Sequence, residues 1–161
     1  LTASSALPMN YWLMKSEPDV YGIADLERDR ETIWDGVRNY QARNFLKSMQ
    51  SGDLAFFYHS NTTPLGIVGL VKIAQSTVID PTQFDSSSKY YDPKSTLENP
   101  RWHTAIVEFV ETFPMMLTLD ALRQIFTPDE LWVVRPGNRL SVMPVPEDVA
   151  MRILKKAREL G

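Results

Sequence analysis

The side chains best suited to recognition chemistry gather in one run, Trp34-Asp35-Gly36-Val37-Arg38-Asn39-Tyr40-Gln41-Ala42-Arg43-Asn44. It holds an aromatic anchor, a glycine hinge, two arginines and three side-chain amides. Such a mixture can hold a flat, polar, anionic ligand: rings stack, amides read edges and guanidinium groups meet phosphate. Trp102 is the candidate for a second ring. Either tryptophan taken alone is accounted for equally well as a core plug. Their company points further, because Lys15-Ser16-Glu17, Arg38-Asn39 and His59-Ser60 all fall at the ends of expected elements, and such ends often meet at one rim. Stacking one base on an aromatic side chain contributes roughly 1–3 kcal/mol, enough for modest affinity from a two-ring clamp. Arg135-Pro136-Gly137-Asn138-Arg139-Leu140-Ser141 reads on composition as a tight turn with two solvated arginines; phosphate contact is its alternative use.

A catalytic reading starts from His59, with Glu17 as its acidic partner. Ser60 beside His59 is poor support, since neighbouring strand side chains point to opposite faces. No glycine-flanked nucleophilic serine is present, and Gly66-Ile67-Val68-Gly69 lacks the lysine and spacing of a phosphate loop. There is no cysteine, and the two histidines, His59 and His103, do not stand at metal-ligand spacing. No metal and no cofactor is therefore expected. The net charge of -3 argues against a protein that coats long nucleic acid, which needs a large positive excess. Contact with nucleic acid would have to use a local basic patch and a pocket.

The elements that must position these groups follow from periodicity. Tyr11 to Lys15 reads as a buried strand with a polar end at Lys15-Ser16-Glu17-Pro18. Ile23 to Asp29 has helical spacing, and Thr32-Ile33-Trp34 is a brief strand. From Asn39 to Gln50, Ala42, Phe45, Leu46 and Met49 make the stripe of an amphipathic helix, ended by Ser51-Gly52. Asp53 to His59 is a strand apolar on both faces. Gly66 to Ala74 is its hairpin partner, with Gly66 and Gly69 marking bends or close backbone approach. Ile79 to Pro100 is a long loop of the kind that tends to be functional. A strand within Arg101 to Phe113, a short helix begun by Thr118 or Asp120, a short strand at Leu140 to Met143 and a terminal helix opened by Pro146 complete the chain.

At 161 residues and 43% hydrophobic content the chain is the size of one domain with ample core. No run is apolar enough to span a bilayer as a helix. Residues 1–9 are expected to be a disordered extension or a remnant of expression, and 10–161 a single domain. A cytoplasmic monomer is the expectation. Mixed strands and helices without regular βαβ alternation indicate an α+β fold with a small, curved, mostly antiparallel sheet.

Four segments, Tyr11 to Pro18, Trp34 to Asn44, Gly52 to Ser60 and Gly137 to Val142, closely resemble the EVE domain family, in order, over a match running from about Asn10 to the last helix. The resemblance implies a PUA-like fold, a curved or barrel-like sheet flanked by helices, related to ASCH and YTH domains. It implies a non-catalytic domain that takes a modified, for example methylated, or flipped-out base of DNA or RNA into an aromatic pocket. Carried onto this chain, Trp34 is the principal wall. Lys15, Ser16 and Glu17 supply polar edges, and Tyr58, His59 and Ser60 the opposing side. Trp102 is a weaker second wall, since its surroundings match less closely. Val37, Arg38 and Asn39 complete the pocket lip, while Arg43, Arg135, Asn138 and Arg139 are the candidates for phosphate contact. The chain departs from many relatives at Val145, where a helix-capping polar residue is common. An enzyme or accessory factor in nucleotide or RNA processing using His59 and Glu17, or a small-molecule or peptide-binding module, are the alternatives.

Overall fold

A computed structural model describes residues 10–159; the expectation for residues 1–9 lies outside them. In chain order the elements are β1 (Tyr11–Ser16), α1 (Pro18–Tyr21), α2 (Ile23–Asp29), β2 (Glu31–Ile33), α3 (Tyr40–Ser48), β3 (Leu54–His59), β4 (Gly66–Ile79), β5 (His103–Thr118), α4 (Leu119–Ile125), β6 (Val142–Val145) and α5 (Glu147–Glu159). Single 3₁₀ turns lie at Pro81–Phe84 and Trp132–Val134. The strands form one open six-stranded sheet, ordered β2-β5-β4-β3-β1-β6. Every pairing is antiparallel except β1 with β3.

The apolar runs of β1 and β3 are explained by cover on both faces. Leu13, Phe56 and Tyr58 point into one core with the buried face of α5, while Trp12, Met14, Ala55 and Phe57 point into a second with residues of α2 and α3. The two sets alternate along each strand, as side chains of period two must. Helix α3 is fixed to the second core by Ala42 and Leu46, and α5 to the first by Val149, Ile153 and Ala157. Strands β4 and β5 carry four register irregularities along their pairing, the kind of disruption that bends a sheet. At Gly69 a side chain would meet the Glu111 carbonyl at 2.6 Å and Ile23 Cδ1 at 2.9 Å, the close approach its glycine signalled.

Four details differ from expectation. Strand β4 runs on to Ile79 because Gln75 to Ile79 pairs with the start of β5 as a ribbon whose β4 residues alternate between exposed and half-buried, and β5 runs on to Thr118 because its end pairs with Gly66 and Ile67 at the start of β4. That stretch is too polar to look like a strand. The last strand is Val142–Val145, two residues later than its apolar start suggested. Helix α1 is a single turn opened by Pro18. The parallel pairing of β1 and β3 is non-local and leaves no mark in either segment. Among the expected caps, Thr118 accepts from the Ala121 amide at 3.1 Å and so begins α4.

Candidate nucleic-acid interface

Parallel pairing sends the C-terminal ends of β1 and β3 to the same edge of the sheet. Ser16 lies opposite His59, and the Ser60 amide donates to the Ser16 carbonyl at 3.0 Å. Strand β6 adds its preceding loop on the other side, where the Lys15 amide donates to the Ser141 carbonyl at 2.8 Å. The segment after β2 crosses in front of these ends. Trp34 is tied to β5 at both backbone groups: its amide donates to the Ala105 carbonyl at 2.9 Å, and its carbonyl accepts from the Thr104 hydroxyl. Together these ends surround a cleft of about 640 Å³, a size typical of small-ligand sites.

Nine of the expected residues line the cleft: Lys15, Ser16, Glu17, Trp34, Val37, Arg38, Asn39, Ser60 and Arg139. Trp34 is 7% exposed and meets Phe57 edge-on, with centroids 5.4 Å apart, so one ring serves both the core and the cleft wall. Asn39 caps α3, its side-chain oxygen accepting from the Ala42 amide at 2.9 Å, while its NH₂ makes no hydrogen bond among the described residues and is free to donate to a ligand. Ser16 donates its hydroxyl to the Tyr21 carbonyl at 2.6 Å and can only accept from a ligand. Lys15 is half-buried, and that burial lowers its amine from the ordinary value. Arg139 is exposed, with no hydrogen bond or ion pair among the described residues, which leaves its donors for an anion.

Arg38 has a different character. Its guanidinium donates to the carbonyls of Val37 (2.9 Å) and Tyr90 (2.7 and 3.0 Å), to Asp80 (3.0 Å) and to the Thr82 hydroxyl (3.0 Å). These bonds engage all three nitrogens and clasp the 80–102 loop against the Trp34 segment. Asp80, almost wholly buried, accepts in addition from the Gly36 amide and from the Thr82 amide and hydroxyl. Burial alone would raise the Asp80 carboxyl, but donors from Thr82, Gly36 and Arg38 outweigh it and hold the group below its ordinary value.

The remaining expected residues lie outside the cleft lining. Tyr58 belongs to the first core, on the opposite sheet face from Phe57. His59 accepts the Ile23 amide at Nε2 (3.1 Å), and burial lowers its pKa. Trp102 is buried and stacks on Tyr40 at 4.8 Å; its indole N–H donates to Asp92 at 2.7 Å, so it pins the 80–102 loop to α3. Arg43 donates to the Arg101 carbonyl and to Asn44. Arg135 donates to the Pro128 carbonyl and lies over the Trp132 ring. Asn138 donates to the Trp132 carbonyl and accepts the Leu140 amide, which braces the turn presenting Arg139.

Sequence reasoning missed Tyr90, the aromatic residue that the long loop brings to the cleft. Its only signal was an aromatic residue in a loop too long to be a simple connection. Gly36, at φ +86°, fits beneath it: a Cβ there would stand 2.6 Å from the ring. Gly36→Ala is therefore expected to displace Tyr90 and lower stability by about 1 kcal/mol or more. Thermal melting measures the loss, and the Tyr90 aromatic proton shifts report the displacement of its ring.

The chain matches known proteins over most of its length. A family model described as EVE domain matches residues 10–156. Thymocyte nuclear protein 1 of Rattus norvegicus is 41% identical over 157 residues, covering 86% of this chain and 70% of that protein. A crystal structure from Pseudomonas syringae superposes with a TM-score of 0.88 at 47% identity, covering 91% of this chain and 99% of the other. Human THYN1 protein, crystallised in complex with 5-methylcytosine containing DNA, superposes with a TM-score of 0.86 at 38% identity, covering 92% and 97%. The α+β, PUA-like architecture expected from the sequence is the one these neighbours share. This chain belongs to the EVE domain family.

Proposed function

We propose that this chain is a non-catalytic nucleic-acid-binding domain that holds one modified or flipped-out base of DNA or RNA in the cleft beside Trp34. One observation carries the reading: Trp34 and Tyr90 line a single cleft that also holds polar edge groups and the cations Lys15 and Arg139, neither of which makes an ion pair among the described residues. The base stacks on the rings, the edge groups read it, and the cations steady the flanking phosphates. The DNA held by the human relative supports the ligand class. The engagement of His59 Nε2 with the Ile23 amide argues against His59 as a working acid or base. A methyl group adds only about 1 kcal/mol of contact, so selectivity for a modified base needs an edge contact or steric exclusion as well. The domain is taken to act as a monomer over residues 10–161. The expected cytoplasmic setting stands beside relatives named as nuclear proteins, and the proposed ligand suits either. Among the described residues no helix is long and apolar enough to cross a membrane.

Fluorescence anisotropy against DNA and RNA oligonucleotides, with and without one methylated base, tests the reading. Binding is expected, tighter for a modified oligonucleotide. Tyr90→Ala, in a half-exposed loop position, should weaken it by roughly 5- to 150-fold while the protein stays folded. Failure of every oligonucleotide to bind, or indifference to Tyr90→Ala, would count against it.

A further inference from the structure

We propose that Asp35 reads the exocyclic amino group of the bound base, so that the cleft selects an amino-bearing base over its oxo counterpart. The inference rests on the base-pocket reading above and adds a specificity-determining residue to it. Three carboxylates lie in or behind the cleft. Asp80 is saturated by the donors described above, and Glu17 accepts from the Asn61 amide at 2.8 Å. Asp35 also lines the cleft, yet among the described residues its carboxylate accepts no hydrogen bond from any other residue. Trp34 and Asp35 line the same cleft, so a base held there by its face against the ring has a carboxylate acceptor available for its edge.

A free carboxylate in a site for a polyanion weakens binding unless it meets an N–H donor, because an ionised carboxylate can only accept. Its neighbourhood strengthens the demand. Asp35 is exposed at the cleft mouth, but partial burial of its carboxyl, and then the charge of Asp80, pushes it above its ordinary value, and Arg38 offsets this only in part. Cytosine offers such a donor in its N4 amino group. Thymine places a carbonyl oxygen at that position, and its N3–H sits between two carbonyls that face the carboxylate with like partial charge. The 5-methyl group is common to 5-methylcytosine and thymine, so the two differ only along the pairing edge: an amino group and a bare N3 in the first, a carbonyl and an N3–H in the second.

The test uses single-stranded DNA oligonucleotides identical except for one central 5-methylcytosine or thymine, which removes any difference in base-pair opening. Wild type is expected to bind the 5-methylcytosine strand about tenfold more tightly. In Asp35→Asn, whose amide offers both a donor and an acceptor, the ratio should fall close to one; Asp35→Ala should lose it as well. An unchanged ratio in Asp35→Asn, or equal binding of both strands by wild type, overturns the assignment of Asp35. If Trp34→Leu still abolishes binding in that case, the base-pocket reading survives without it. If wild type binds neither strand, both fall together.

Discussion

Trp34→Leu is expected to remove most of the nucleic-acid affinity, by roughly 5- to 150-fold, from a protein that remains folded. The choice of leucine matters. Trp34 is 7% exposed and packs edge-on against Phe57 in the second core. Truncation to alanine would cost about 3–5 kcal/mol through lost contact and the cavity left behind. That is a large share of the stability of an ordinary domain, roughly 5–15 kcal/mol, so lost binding in Trp34→Ala could not be separated from lost folding. Leucine keeps an apolar side chain in the core but removes the flat face on which a base stacks. Circular dichroism and thermal melting establish the fold; anisotropy with a methylated oligonucleotide reads the affinity. A folded Trp34→Leu protein that binds as tightly as wild type would sink the base-pocket reading.

Asp80→Ala should have the largest effect on the fold itself, lowering stability by about 3–5 kcal/mol. The side chain is 2% exposed and its Arg38 partner 21%. Its loss strands the guanidinium in a protein environment and leaves the Gly36 and Thr82 amides without their acceptor. Because those donors hold the Tyr90-bearing loop against the Trp34 segment, oligonucleotide affinity should fall along with the melting temperature. The pH dependence has a definite sign. The folded-state pKa of Asp80 is depressed, so its contribution is present above the ordinary value of 3.8 and lost as pH falls through the lower folded value. Wild type should therefore lose stability on acidification, and Asp80→Ala should lose less over the same interval. Parallel acid-unfolding curves for the two proteins would contradict this account.

Much of the architecture was legible because it is local. The stripe of Ala42, Phe45, Leu46 and Met49 announces α3, and the two-faced apolar run of β3 announces a strand covered on both sides. Pro146 marks the start of α5, and Gly69 the close approach of β5. The ends of these elements carry Lys15, Ser16, Arg38 and Ser60, which line one cleft, whereas His59, expected at the same rim, is turned to the Ile23 amide instead. The polar extension of β4 was not legible, since its pairing with β5 depends on main-chain hydrogen bonds that any sequence can make.

The sequence by itself determined the family, the principal elements and the presence of Trp34 among recognition groups. Only the tertiary structure decided which groups are uncommitted. Arg38, Arg43 and Arg139 are chemically identical, yet Arg38 holds a loop, Arg43 ties α3 to Arg101 and Arg139 stands exposed at the cleft. Trp102 and Tyr90 are both aromatic residues at a long loop, yet the first is buried on Tyr40 and the second lines the cleft. Residue type sets what a side chain can bind. Whether its donors, acceptors or faces are already satisfied depends on partners far away in the chain, and no local pattern encodes those pairings.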